Sequence, residues 1–188
     1  MVRSVWPAPS DSTGWVAGVQ NGIVKDDLLA NAFGAERVVG AVTILAGRRE
    51  PTGEVIVTSL GMTYLGEFSG QPSSRVTEAI DVLRAAGIPA EQPPDIRSAL
   101  WSKAGNATGI FGVSVLARLG AGSLMRNPDL MRAYLALVRE TADIAAAYGV
   151  TVGDYAGFPI GTYIKRTDEE TIAAIPPAPS EPASRHHA

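Results

Sequence analysis

Near residue 70 the chain changes period. From Trp15 to Phe68 it runs in short β-branched stretches separated by glycine and proline, which is strand spacing; from Ser74 to Tyr148 apolar residues recur every three or four positions, which is helix spacing. Strands first and helices afterwards means a sheet-bearing part followed by a helical part. The expected strands are Trp15 to Val19, Val38 to Leu45, Glu54 to Ser59 and Met62 to Phe68. Asp26 to Phe33, acidic at its front and followed by Gly34, suits a short helix. Arg48 to Gly53 reads as the turn of a hairpin.

In the helical part, Ser74 to Ala86 places Val76, Ile80 and Leu83 on one face, with Gly87 as a left-handed stop. Pro89, Pro93 and Pro94 mark a connector, after which Asp95 can cap a helix that runs through Leu100, Trp101 and Lys103 to near Arg118. Asn127 as N-cap, Pro128 at the first helical position and Gly149 at the end bound the clearest helix. Its stripe of Leu130, Tyr134, Leu137, Thr141, Ile144 and Tyr148 reads as core or subunit interface. Beyond Val150 the periodicity fades, and Pro176, Pro177, Pro179 and Pro182 predict a disordered tail. His186 and His187 fall in that tail, and two adjacent histidines make no metal site by themselves.

Composition excludes several functions. With 188 residues, 46% of them hydrophobic, the chain can bury a core. Its formal charge of −3 is spread over interspersed acidic and basic residues, so no basic field exists to gather nucleic acid or an anionic membrane. No stretch approaches the roughly 18 uninterrupted apolar residues of a membrane span, and the opening Met1 to Gly14 lacks the apolar run of a signal peptide. The absence of cysteine removes disulfides, thiolate zinc sites and a cysteine nucleophile, and suits a reducing, cytoplasmic setting.

Two segments at a suitable separation carry a resemblance: Val19-Gln20-Asn21-Gly22, at the end of an expected strand, and Asp95-Ile96 followed by Leu100-Trp101-Ser102-Lys103. Between them stand Arg37 to Thr43, Gly61 to Glu67 and Leu83 to Ile88; beyond them stand Gly122 to Met125 and Arg139 to Val150. In this order, over roughly Val16 to Val150, the chain resembles the ketopantoate reductases. The resemblance implies α/β followed by α: the second half of a Rossmann-like nucleotide-binding domain plus a partial all-helical C-terminal domain. The expected boundaries are 1–94 for the Rossmann-like part, 95–150 for a helical substrate or dimerisation domain, and 151–188 for a diverged, disordered tail. The front of the nucleotide domain, with its glycine-rich phosphate loop, is expected to be absent. Gly120 to Met125 lacks a third glycine and lies between helices, so it is not that loop.

The resemblance also implies NADPH as cofactor and a small 2-oxo acid, ketopantoate, as substrate, bound in the cleft between the domains. Lys103 would be the proton donor, because hydride delivered to a keto carbon leaves an alkoxide that a nearby ammonium stabilises and protonates. Asn21 would touch both cofactor and substrate, and Ala46 would meet the cofactor through its backbone. Asn106 is a candidate substrate contact, although well-known members carry their asparagine one turn after the lysine, where Ala107 stands here. One position around a helix is about 100°. A second family asparagine is replaced by Phe111. The partners implied are the 2-oxo acid and either a second copy of the chain or a polypeptide supplying the rest of the Rossmann domain. Two other readings fit the same residues: a catalytically inactive fragment, and a helical dimerisation module. Glu67, Glu140 and Trp101 read as a strand-end charge, a helix-face charge and packing.

Overall fold

The computed structural model describes residues 14–174. The chain divides into two compact units, Met1–Leu100 and Trp101–Ala188, and a single helix, α3 (Ile96–Ala117), contributes residues to both.

In the first unit, α1 (Lys25–Phe33) precedes a hairpin of β1 (Gly40–Arg49) and β2 (Val55–Gly66). Then come α2 (Ser74–Ala85) and the short β3 (Ala90–Glu91). The sheet order is β1-β2-β3, with β1 antiparallel to β2 and β3 parallel to it. The hairpin turns where Pro51 and Gly53 predict it, with Gly53 at φ 90. What reads as two strands, Glu54 to Ser59 and Met62 to Phe68, is one. The register jumps between Thr43 and Leu45, so Gly61 is absorbed by a bulge rather than ending the strand. A Cβ on Gly61 would lie 2.8 Å from the Ile44 carbonyl oxygen, so the bulge needs glycine there. The expected strand at Trp15 to Val19 is corrected to one isolated parallel bridge, Val16 to Val38. A single pair, closed by the Val16 and Val39 amides, is not a ladder.

The core of this unit is Val39, Ala41, Leu65, Val76, Ile80 and Ala90, with α2 laid on the sheet. Ser73 caps α2 by accepting from the Val76 amide. A second knot lies where α3 begins. Asp95 accepts from the Arg97 amide at 2.8 Å, and the Arg97 guanidinium sits 5.7 Å from the Phe68 ring centre. Ile96, 2% exposed, fills the space that side chains at Gly40 and Gly66 would otherwise take, since a Cβ at either would come within 2.6 or 3.0 Å of it. Full burial of such a side chain contributes about 1.5–3 kcal/mol.

The second unit is built on α3 and α5 (Pro128–Ala147), with α4 (Ala121–Met125) between them in sequence. Three glycines on α3 let the two helices approach closely. A Cβ at Gly105 would meet Thr141, one at Gly109 the Tyr134 ring, and one at Gly112 Leu137. The buried face of α5 is Met131, Tyr134, Leu135, Val138, Thr141, Ala142 and Ala145. The expected stripe shares only Tyr134 and Thr141 with that buried set, and its members Ile144 and Tyr148 are exposed.

The expectation of a disordered tail is corrected for residues 151–174. They form the ribbon β4 (Asp154–Tyr155) and β5 (Phe158–Pro159), then α6 (Ile160–Lys165) and α7 (Asp168–Ala174). These elements are too short to show a period, but Phe158, Ile160 and Thr171 are fully buried. Asp154 accepts from the Thr162 amide and hydroxyl at the start of α6. Arg139 of α5 reaches Asp168 at 2.6 Å and donates to the Arg166 carbonyl, which fastens α7. The proline-rich end and its histidines lie outside the described residues. Among the described residues no helix is long and apolar enough to cross a membrane.

Candidate functional site

Of the residues expected in the site, Asn21 and Ala46 belong to the first unit, and Lys103 and Asn106 to the second. Asn21 is exposed on the bend that follows the Val16 bridge, with Gly22 at φ 104. Only glycine adopts that angle without strain, so the turn and the exposed amide come from one Asn-Gly step. The bend is seated on α1. Gly18 is buried, and a Cβ there would lie 2.8 Å from Gln20 Oε1 and 3.3 Å from Lys25 Cδ. Lys25 and Asp26, both buried, form an ion pair in which Nζ donates to both carboxylate oxygens at 2.7 Å. Burial pushes the Asp26 carboxyl above its ordinary value, and Lys25 opposes the shift. Nothing at sequence level distinguishes this pair from two surface charges, since α1 has a weak apolar stripe.

Asn21 lies five residues beyond Val16, whose single parallel bridge to Val38 ties this segment to the sheet. Ala46 is exposed in β1 opposite Ser59, next to the second register shift of the hairpin. Their neighbours Val19 and Leu45 line a hollow of about 580 Å³ on the sheet, along with Trp15, Ala17, Ala41 and Leu65. The walls are largely apolar. Arg75, at the rim, is already engaged by Glu67 and by the Glu36 carbonyl.

On α3, Lys103 and Asn106 are three residues apart and half-buried. Asn106 Oδ1 accepts a 2.8 Å hydrogen bond from the Tyr134 hydroxyl of α5. Ser102 beside Lys103 is fully buried, and its hydroxyl accepts from the Gly153 amide at 2.9 Å. Trp101 lies against the Tyr148 ring at 5.6 Å, which is packing. Phe111, in the place of the family's second asparagine, is exposed. Glu67 is structural: it takes a two-pronged contact from Arg75 and a hydrogen bond from Ser73, and the Arg75 hydrogen bonds hold its carboxyl below the usual range. Glu140 is exposed on α5.

Rossmann-like strands followed by a helical C-terminal domain define the class of fold to which the chain belongs. Residues 1–70 match the family model described as Ketopantoate reductase PanE/ApbA, and residues 95–177 match Ketopantoate reductase PanE/ApbA C terminal. The chain belongs to the ketopantoate reductase family. A 2-dehydropantoate 2-reductase of Archaeoglobus fulgidus is 32% identical over 136 residues, 72% of this chain and 46% of that one. The crystal structure of 2-dehydropantoate 2-reductase from Geobacter metallireducens GS-15 superposes with TM-score 0.69 at 26% identity, covering 85% of this chain and 51% of that one. At 19% identity and TM-score 0.69, a D-mandelate dehydrogenase in complex with NADH shares the fold, over 84% of this chain and 52% of that one. The chain thus spans about half the length of the relatives it matches.

Proposed function

We propose that this chain carries the proton donor of an NADPH-dependent 2-oxo-acid reductase that converts ketopantoate to pantoate, a step of pantothenate biosynthesis. One observation carries the reading. Lys103 follows Leu100-Trp101-Ser102 on an unbroken helix inside the match to the family's C-terminal model. The relatives named as 2-dehydropantoate 2-reductases support the substrate, and the NADH complex of the dehydrogenase neighbour supports a nicotinamide cofactor.

NADPH supplies hydride to the keto carbon when bound. Lys103 then donates a proton to the alkoxide oxygen left there, so the ketone gains one hydride and one proton and leaves as the hydroxy acid. Asn21 and the backbone of Ala46 would hold the cofactor. The carboxamides of Asn21 and Asn106 would hydrogen-bond the substrate. The domain boundary near 94, a second copy of the chain, and a polypeptide completing the nucleotide domain belong to the same proposal.

The test follows loss of NADPH absorbance with ketopantoate, for the chain alone and with the remainder of a relative's nucleotide domain added. Lys103→Ala is expected to lower kcat by about 10²–10⁴-fold with little change in KM. Turnover unchanged by that substitution, or no NADPH oxidation by the wild type under either condition, removes the reading.

A further inference from the structure

Asn106 is the sole amide side chain on α3, and its surroundings determine which end of that amide is on offer. Tyr134, 2% exposed, is held on three sides. Its ring lies over Gly109, where a Cβ would come within 2.5 Å of Cδ2. The ring also meets the Tyr163 ring edge-on at 6.3 Å, and its hydroxyl donates to Asn106 Oδ1 at 2.8 Å. The ring is thus packed in place, and its hydroxyl gives its hydrogen bond to Asn106. With Oδ1 taken, the two N–H groups of Nδ2 remain, and they carry no hydrogen bond among the described residues. Lys103, three residues earlier on the same helix, occupies the adjoining surface position, about 5–6 Å away between Cβ atoms.

We propose that Tyr134 is a positioning residue: by occupying Oδ1 it fixes Asn106 as a donor, so that α3 offers the carboxylate of a 2-oxo acid two adjacent donors, Lys103 and Asn106. This rests on the reading given under Proposed function. The chemistry favours the arrangement, because a carboxylate accepts and never donates when ionised, so a free carboxamide that turned its oxygen outward would repel it. Tyr134 removes that wrong orientation. It also gives Asn106 a use although it stands one position before the family's asparagine.

The test is a titration of the isotope-labelled chain with ketopantoate, followed by nuclear magnetic resonance of the side-chain N–H groups of Asn106 and Lys103. In the wild type both sets of signals are expected to shift. Tyr134→Phe, which keeps the ring and removes only the hydroxyl, is expected to move the Asn106 signals of the free chain and weaken ketopantoate about fivefold. Tyr163→Phe, which touches the same ring cluster but not Asn106, should leave the Asn106 signals in place. Asn106→Asp keeps a partner for Tyr134 but replaces the donor by a like charge, and is expected to abolish binding; retained binding overturns the proposal. So does a Tyr134→Phe chain with unchanged Asn106 signals and affinity. Shifts at Lys103 without shifts at Asn106 overturn this inference while sparing the reading beneath it; shifts at neither, both for the chain alone and with the remainder of a relative's nucleotide domain added, remove both.

Discussion

Gly105 and Gly109 lie one turn apart on α3 and both face α5, yet they are not equivalent. A Cβ at Gly105 would meet Thr141 at 3.7 Å, an ordinary contact, whereas one at Gly109 would stand 2.5 Å from the Tyr134 ring and 3.2 Å from its carbonyl oxygen. Gly105→Ala is therefore expected to be neutral or to stabilise by up to about 1 kcal/mol through helix propensity, and Gly109→Ala to destabilise by about 1–3 kcal/mol through overpacking. Urea unfolding midpoints of the two variants check the difference in sign. Lys103 and Asn106 were legible as candidates because their motif is local. Tyr134 was not, because its bond to Asn106 joins positions 28 apart in the chain. The available signal was general: a buried tyrosine needs a partner for its hydroxyl, and the facing helix carries a single amide.

Helices were easier to read than strands for a physical reason. Asn127 and Pro128 announce α5 because capping is written in adjacent residues, and the Asn127 side chain does accept from the Asp129 and Leu130 amides. Asn127→Ala is expected to cost about 1 kcal/mol, visible as a lower thermal midpoint, while Asn127→Asp should retain most of the cap. The hairpin was legible from its turn, but the continuity of β2 through Gly61 depends on what Ile44 does across the ladder, which no local pattern reports. The same limit explains residues 151–174. Asp154 and Asp168 act through partners on other elements, Thr162 and Arg139, which no local pattern in the segment reports.

The two units differ in how acid should affect them. Glu67, Ser73, Arg75 and the Glu36 carbonyl form one network wholly inside the first unit. Hydrogen bonds from Arg75 hold the Glu67 carboxyl below its ordinary 4.5. A depressed folded value stabilises above the unfolded value and is lost as pH falls through the folded one. Acidification below 4.5 should therefore lower the wild-type unfolding midpoint more steeply than that of Glu67→Gln, with the difference concentrated in amide exchange of α2 rather than of α5. The alkaline side carries the opposite message. Burial first, and the neighbouring Tyr163 second, push the Tyr134 hydroxyl well above the ordinary tyrosine value. Its proton stays in place throughout the range in which a nicotinamide reductase is assayed, so a basic limb in the rate profile would have to be assigned to some other group.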